Sequence, residues 1–378
     1  MHHRYRRKIA AAFLWAGLAS LATAADLTVS QIAPFSGPLA PTGGHIKAGA
    51  QLYFDTVNAG GGVHGAKIKL VSRDDGYKAP ETLRLTQEAL RDDHPIALFG
   101  IVGTGNVETL LKEKTVEAAG IPLITVRSGA GNVIRSGNPW VFFTRASYAD
   151  EVGKILQQYL PLGYKRVAVF YQDDPFGQDG LAAAEAKVKE LGGELVARAG
   201  YEKNTTKVEA AVAAIAKANP ALVVMASNTA ASAEFVKQFR TTGVSAQLVA
   251  LSVTDAGQVV DKIGKVAAHG LAITQVVPDP NNGAVPLIRE IRDVVKKFPL
   301  KDATVNHTFI EGYMGAKVLV EGLRRAGPNP TPKKLRDALE SIRDQDMGGI
   351  GIGFSPTNHA GSHYVDIIII GRDGGLVR

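Results

Sequence analysis

Short apolar runs alternate with longer amphipathic runs along most of this chain. Runs such as Val167 to Tyr171 and Leu222 to Met225 are continuously apolar, which is typical of strands that helices cover on both faces. A first series predicts strands at 27–32, 67–70, 96–100 and 121–126 and helices at 45–58, 79–92 and 106–119. This alternation predicts a parallel α/β architecture.

The alternation breaks at Asn138-Pro139 and then starts again. The second series predicts strands at 166–171, 194–199, 221–226, 247–251 and 270–276, and helices near 177–191, 207–218, 232–242 and 255–262. A mostly helical tail follows, with helices at 284–298, 308–326 and 331–341 and strand-like pieces at 350–355 and 365–371. Because these units are too many for one compact sheet, we predict two doubly wound lobes whose loops lie at the carboxyl ends of their strands.

The first 24 residues have the pattern of an export signal. Arg4 to Lys8 are mostly basic, Ile9 to Leu21 form an apolar-rich stretch, and Ala22-Thr23-Ala24 is a small-x-small cleavage site. Thirteen residues at 1.5 Å each are too short to cross about 30 Å of hydrocarbon. We therefore predict a signal peptide that is cleaved after Ala24 and a mature protein that resides in the periplasm.

Composition narrows the possible functions further. The 378 residues carry a formal charge of +7, but the first eight residues contribute four of the positive charges. The charge of the mature chain therefore gives no indication of nucleic-acid binding. The sequence contains no cysteine, which excludes disulfides, thiolate metal sites and a lipid-bearing N-terminal cysteine.

Three turns rich in glycine and hydroxyl residues adjoin predicted strands or helices. They cover residues 38–44, 100–106 and 125–132. The first amides of a helix have no partner within that helix and carry partial positive charge, so such turns suit a carboxylate or phosphate. Thr104 and Ser128 would add hydroxyl donors.

Other chemistries lack their motifs. The sequence has no Walker lysine motif, no G-x-S-x-G and no H-E-x-x-H, and its histidines lack metal-ligand spacing. Gly349 to Gly353 is more typical of a bend in a strand than of a dinucleotide turn. We interpret Asp74-Asp75 and Asp173-Asp174 as caps and turn formers rather than as acid–base pairs. No cofactor is predicted.

Four segments together resemble the branched-chain amino-acid binding family of ABC importers, the type I periplasmic binding proteins. They are Ser36-Gly37-Pro38, the helix end from Asn58 to Gly65, Arg73-Asp74-Asp75 and Asp174 to Gly177. The resemblance implies two lobes joined by three hinge strands, with lobe 1 at 25–146 plus 278–350 and lobe 2 at 147–277 plus 351–378. It also implies a ligand enclosed between the lobes, delivery to an inner-membrane ABC permease, and a monomeric protein without catalytic activity.

The resemblance also assigns site residues. The ligand-binding positions fall on Thr42, Val102, Gly103, Thr104, Ser128, Gly129, Phe176, Asn228 and Ser252. Val102 to Thr104, with Ser128 and Gly129, would bind the ligand's carboxylate, and Phe176 would form an aromatic lid. Thr42 and Asn228 stand where leucine-type members have aromatic residues.

Ser252 is the departure that bears most on the ligand. By the resemblance, it stands where the family has the acid that pairs the ammonium of amino-acid ligands, and Arg127 stands beside the loop where a small residue is usual. Asp255 could substitute only if its loop folds inward. The expected ligand is a small carboxylate, either an unusual amino acid or an amine-free organic or aromatic acid.

Two other functions remain open at this point. A ligand-binding sensory or regulatory receptor shares this fold, although neither a helix-turn-helix nor a second apolar span is evident. An α/β enzyme such as a dehydrogenase or hydrolase is the other alternative, although its dinucleotide turn or nucleophile elbow is missing.

Overall fold

Two separate β-sheets organise the chain. The computed structural model describes residues 25–377, so the predicted signal peptide lies outside the described residues. The strands of the first sheet are β1 (Leu27–Ala33), β2 (Ile68–Asp74), β3 (Ala97–Phe99), β4 (Leu123–Ile124) and β5 (Val141–Phe142). Their order is β2-β1-β3-β4-β5 and every neighbouring pair is parallel.

The second sheet has seven strands. They are β6 (Arg166–Gln172), β7 (Glu194–Tyr201), β8 (Leu222–Ala226), β9 (Gln247–Ala250), β10 (Ala272–Gln275), β13 (Asp366–Ile370) and β14 (Leu376–Val377), with β11 (Gln345–Asp346) and β12 (Gly351–Ile352) forming a separate hairpin. The order is β14-β13-β10-β9-β8-β6-β7, in which β13 is antiparallel to both of its neighbours. Each sheet is the centre of one lobe, and the predicted two-lobed α/β fold is confirmed.

Helices cover the sheets. They are α1 (Ala40–Ala59), α2 (Ala79–Asp92), α3 (Thr104–Lys112), α4 (Thr115–Ala119), α5 (Gly131–Ile134), α6 (Tyr148–Tyr159), α7 (Pro175–Glu190), α8 (Glu209–Lys217), α9 (Thr229–Arg240), α10 (Ala256–Ala268), α11 (Pro286–Lys297), α12 (His307–Ala326) and α13 (Pro332–Glu340), with short 3₁₀ turns at Gly37–Leu39 and Leu160–Leu162. The apolar strands β3 and β8 are fully buried beneath them, as their sequences predict.

Glycine allows the two longest helices, α1 and α12, to cross closely. A Cβ at Gly49 would lie 2.0 Å from the Phe309 carbonyl oxygen, and a Cβ at Gly312 would lie 2.2 Å from the Ile46 carbonyl oxygen. Tyr53 of α1 meets Tyr313 of α12 edge to face at 5.0 Å. This packing fixes α1, whose N-terminal turn approaches the ligand-binding region predicted from the sequence.

Three sequence predictions of local structure are wrong. Helix α1 begins at Ala40, so Thr42 lies in its first turn rather than in a preceding loop; Pro41 is tolerated there because the first amides of a helix need no partner. The predicted helix 106–119 is two helices, since Lys114 adopts a left-handed backbone with φ of 52°. The predicted strand 350–355 is reduced to β12, the second strand of the hairpin.

The chain passes between the lobes three times. It does so after β5, after β10, and between Phe354, which packs in the lobe 1 core, and β13 of the second sheet. Two of these connections touch, because Phe143 donates its backbone amide to the His359 carbonyl and Gly361 donates to the Phe143 carbonyl. We place the last crossing after Phe354, later than residue 350, because Ile352 and Phe354 bury their side chains in lobe 1.

Candidate functional site

The candidate site is a narrow cavity between the carboxyl ends of the two sheets. Lobe 1 contributes Leu39, Thr42, Tyr77, Val102, Gly103 and Arg127. The lobe 2 side contributes Tyr148, Phe176, Asn228 and Val253. The cavity lies where ligands of open α/β sheets bind, and it brings together five of the nine predicted site residues: Thr42, Val102, Gly103, Phe176 and Asn228.

Two loops of lobe 1 form one wall. Val102 and Arg127 pair as an isolated parallel bridge, and the Gly103 amide donates to the Arg127 carbonyl at 3.2 Å. Gly103 then serves as the N-cap of α3 with φ of 102°, and a Cβ there would lie 2.4 Å from the Tyr77 ring. Only glycine fits this position beside the Tyr77 ring, and the N-cap of α3 therefore lies at the cavity wall.

Thr104, Ser128 and Gly129 lie behind this wall. The Thr104 and Ser128 hydroxyls are fully buried and hydrogen-bonded to each other at 2.8 Å. Gly129 is also buried, and its carbonyl accepts the Tyr148 amide. The structure thus brings these three residues next to the cavity without exposing them on its surface, and their role in carboxylate binding stays a prediction.

Phe176 and Asn228 form the lobe 2 side. Asp174 caps α7 by accepting the backbone amides of Phe176 and Gly177, which places the Phe176 ring 5.0 Å from the Tyr148 ring. The Asn228 side-chain amide donates to Gln172 at 2.6 Å. Gln172 in turn reaches across to the Tyr77 hydroxyl at 3.4 Å, so the two lobes touch at the cavity rim.

Ser252 does not line the cavity. Its hydroxyl accepts a hydrogen bond from Arg145 at 2.5 Å, and its amide donates to Glu151 at 2.8 Å. Ser252 is not among the residues that line the cavity, and its hydroxyl and amide serve a buried polar network instead.

That network contains two arginines and two glutamates, which balance in charge. Arg127 donates to Glu311, Arg145 lies 3.4 Å from Glu311 and 2.8 Å from Glu151, and all four are at most 7% exposed. Burial disfavours the charged form of Arg145, yet attraction from Glu311 and Glu151 raises its pKa above the usual range. Buried charges require such partners, so Arg145 stays protonated.

Sequence reasoning missed four residues that line the cavity: Leu39, Tyr77, Tyr148 and Val253. Burial raises the pKa of the Tyr77 and Tyr148 hydroxyls, so both remain proton donors at neutral pH. Leu39 falls in the glycine-rich turn that the sequence did single out, and Val253 adjoins Ser252. Tyr77 follows Asp75-Gly76 and adopts a left-handed backbone with φ of 62°. The periodic pattern of apolar residues did not predict this turn.

The paired aspartates are turn formers, as predicted. Asp74 accepts the amides of Phe35 and Gly76, and Asp75 accepts the Tyr77 amide and the Thr82 hydroxyl. Burial raises the pKa of Asp75. Within residues 25–377, no cluster of histidine and acidic side chains could hold a metal ion, and no helix has the length and apolar character to cross a membrane.

Comparison with known proteins identifies the family. A model described as "Periplasmic binding protein" matches residues 26–374. A substrate-binding periplasmic protein from Ralstonia solanacearum is 36% identical, with a TM-score of 0.89 over 93% of this chain and 99% of that one. A possible leucine/isoleucine/valine-binding protein from Rhodopirellula baltica SH 1 is 26% identical, with a TM-score of 0.87 over 95% and 98% of the two chains.

A curated relative supports the same assignment. The Leu/Ile/Val-binding protein homolog 7 of Brucella suis biovar 1 (strain 1330) is 26% identical over 360 residues, which cover 92% of this chain and 88% of the relative. Members of this family bind small ligands, work with ABC transporter permeases and are not enzymes. The chain belongs to the periplasmic binding protein family.

Proposed function

We propose that this protein captures a small carboxylate-bearing molecule between its two lobes and delivers it to an inner-membrane ABC permease. The observation that carries the proposal is the cavity wall where Arg127 and the N-terminus of α3 meet. A guanidinium and helix amides are both donors that suit a carboxylate. The two-lobed fold explains how the ligand is held, because a ligand that touches both lobes stabilises their closed arrangement.

The carboxylate requirement is tested with matched acids and amides. Thermal unfolding of residues 25–378 is measured with 4-methylpentanoate, leucine and 3-phenylpropanoate, and with the primary amide of each. A ligand at 100 times its dissociation constant stabilises by about 2.7 kcal/mol. We expect at least one acid to stabilise the protein far more than its amide. Equal stabilisation by each acid and its amide, or none by any acid, would contradict the proposal.

Transport, as opposed to sensing, needs a cellular test. We expect deletion of the gene to abolish uptake of the radiolabelled acid that binds best, and re-expression of the wild-type chain to restore it. Uptake that is unaffected by the deletion, together with a lost transcriptional response to the acid, would favour the sensory alternative.

Export and cleavage belong to the same proposal. N-terminal sequencing of the protein from a periplasmic extract should begin at Ala25, and size-exclusion chromatography with light scattering should give a monomer mass. An uncleaved N-terminus in a membrane pellet would contradict the proposed signal peptide, and a dimer mass would contradict the proposed monomer.

A further inference from the structure

We propose that the cavity selects an aromatic acid without an amino group, and that Arg127 determines this choice. The inference rests on the proposed function and narrows it. Arg127 is the only charged side chain among the described residues that line the cavity. Glu311 already balances its charge, so the preference for a carboxylate rests on the guanidinium N–H donors that Glu311 does not use.

Arg127 retains donors for a ligand. A guanidinium has five N–H donors, and the hydrogen bonds of Arg127 run from Nη1 to Glu311 and from Nη2 to the Ser252 carbonyl at 3.5 Å. The second of these is long. Glu311 holds the guanidinium through Nη1, so a carboxylate that enters the cavity meets an oriented donor group.

An ammonium group finds no carboxylate to pair with. Asp255 caps α10 through one oxygen and accepts Asn306 through the other. Glu151 is bound by Arg145, Ser252 and Thr274. Asp174 caps α7 and accepts Gln172. Because each of these acids is already bonded, an α-ammonium would be buried beside a cation without a partner, which is strongly unfavourable.

The remaining surface is mostly aromatic and aliphatic, with Thr42 and Asn228 as its other polar side chains. Tyr77, Tyr148 and Phe176 line the cavity, with Leu39, Val102 and Val253 between them. Cations lie over two of the rings: Lys203 is 4.0 Å from the Tyr77 ring and Arg145 is 5.4 Å from the Tyr148 ring. A flat aromatic ring packs well among such side chains through stacked and edge contacts.

Two matched pairs of probes test the inference by calorimetry. The pairs are 3-phenylpropanoate with phenylalanine, and 4-methylpentanoate with leucine, in which the members differ by the amino group alone. We expect each amine-free acid to bind at least about 10-fold more tightly than its amino acid, and 3-phenylpropanoate to bind most tightly.

The outcomes separate this inference from the proposed function. Tighter binding of leucine or phenylalanine would overturn the inference and leave the capture of a carboxylate standing. Tighter binding of 4-methylpentanoate than of 3-phenylpropanoate would overturn the aromatic preference. Binding of none of the four probes would count against both proposals.

Arg127 is tested by a charge-neutral pair, Arg127→Gln with Glu311→Gln, so that no buried charge is left alone. The control is Arg84→Gln with Glu81→Gln, an exposed ion pair. We expect the Arg127→Gln, Glu311→Gln double variant to bind 3-phenylpropanoate about 10- to 100-fold more weakly. Its affinity for 3-phenylpropanamide should be unchanged. A merely structural role would weaken the acid and the amide alike, which would contradict the proposal.

A second variant covers the case in which the paired change prevents folding. Asn228→Asp places a negative charge at the cavity wall with little change of shape. It should weaken the binding of 3-phenylpropanoate by about 10-fold and leave the binding of 3-phenylpropanamide unchanged. Unchanged discrimination between acid and amide in this variant would contradict an electrostatic choice made inside the cavity.

Discussion

Gly103 is the residue whose backbone most directly shapes the site. It combines φ of 102° with a Cβ position only 2.4 Å from the Tyr77 ring. We expect Gly103→Ala to lower the free energy of unfolding by about 1–3 kcal/mol and to weaken carboxylate binding, as measured by urea unfolding and calorimetry. Gly61→Ala is the control, because Gly61 has φ of 97° and nothing within 4 Å of a Cβ. If both variants bind alike, the close approach to Tyr77 has no functional role.

Glu151 is the residue at which the contribution of the buried ion network to stability can be tested. It is fully buried and bound by Arg145, Ser252 and Thr274. We expect Glu151→Gln to lower the free energy of unfolding by about 3–5 kcal/mol, because the two buried arginines then share a single glutamate, Glu311. The control is Glu194→Gln, which removes the exposed ion-pair partner of Arg166. It should lower the free energy of unfolding by less than about 1 kcal/mol. Urea unfolding that gives equal losses would contradict this account.

Individual residues were predictable from the sequence only where their contacts are local. The turns at Gly103 and Phe176 were visible because glycine, proline and capping residues act locally. Ser252 was not interpretable in the same way, since its partners Arg145 and Glu151 lie 107 and 101 residues away. Such distant contacts decide whether a side chain faces a cavity or is hydrogen-bonded to a buried partner.

At the scale of elements, the first turn of α7 connects a helix cap to ligand binding. Asp174 accepts the Phe176 and Gly177 amides and so orients the Phe176 ring. We expect Asp174→Ala to cost about 1 kcal/mol of stability and to weaken binding of the carboxylate ligand at least about 10-fold by calorimetry. Thr331→Ala, which removes the cap of α13, should cost similar stability and leave affinity unchanged. Equal affinities of the two variants would contradict the positioning role.

Element boundaries were predictable where local chemistry sets them. The helix 79–92 was predicted with the bounds that α2 has, since proline at its start and a strong apolar stripe act within the segment. The split between α3 and α4 depends on a left-handed Lys114, which no sequence pattern marked. The predicted boundary after residue 350 separates β11 from β12, whereas Ile352 and Phe354 pack in the lobe 1 core, a long-range contact that local patterns do not mark.

For the whole molecule, ligand binding should shift the balance between open and closed lobes. The chain has no cysteine, so spin labels can be introduced at Lys112→Cys on α3 and Ala186→Cys on α7, both exposed. We expect saturating 3-phenylpropanoate to shorten and narrow the distance distribution between the labels. A pair within lobe 2, Ala186→Cys with Lys217→Cys, should stay unchanged. An unchanged distribution between the lobes would contradict ligand-driven closure.

The central claim is that an acid is bound between the lobes with its negative group against Arg127. A crystal structure of the mature protein with the tightest-binding carboxylate probe tests it most directly. We predict that the probe lies in the cavity with a carboxylate oxygen within about 3.2 Å of an Arg127 guanidinium nitrogen. A probe bound elsewhere, or one whose carboxylate points away from Arg127 and the N-terminus of α3, would contradict the account.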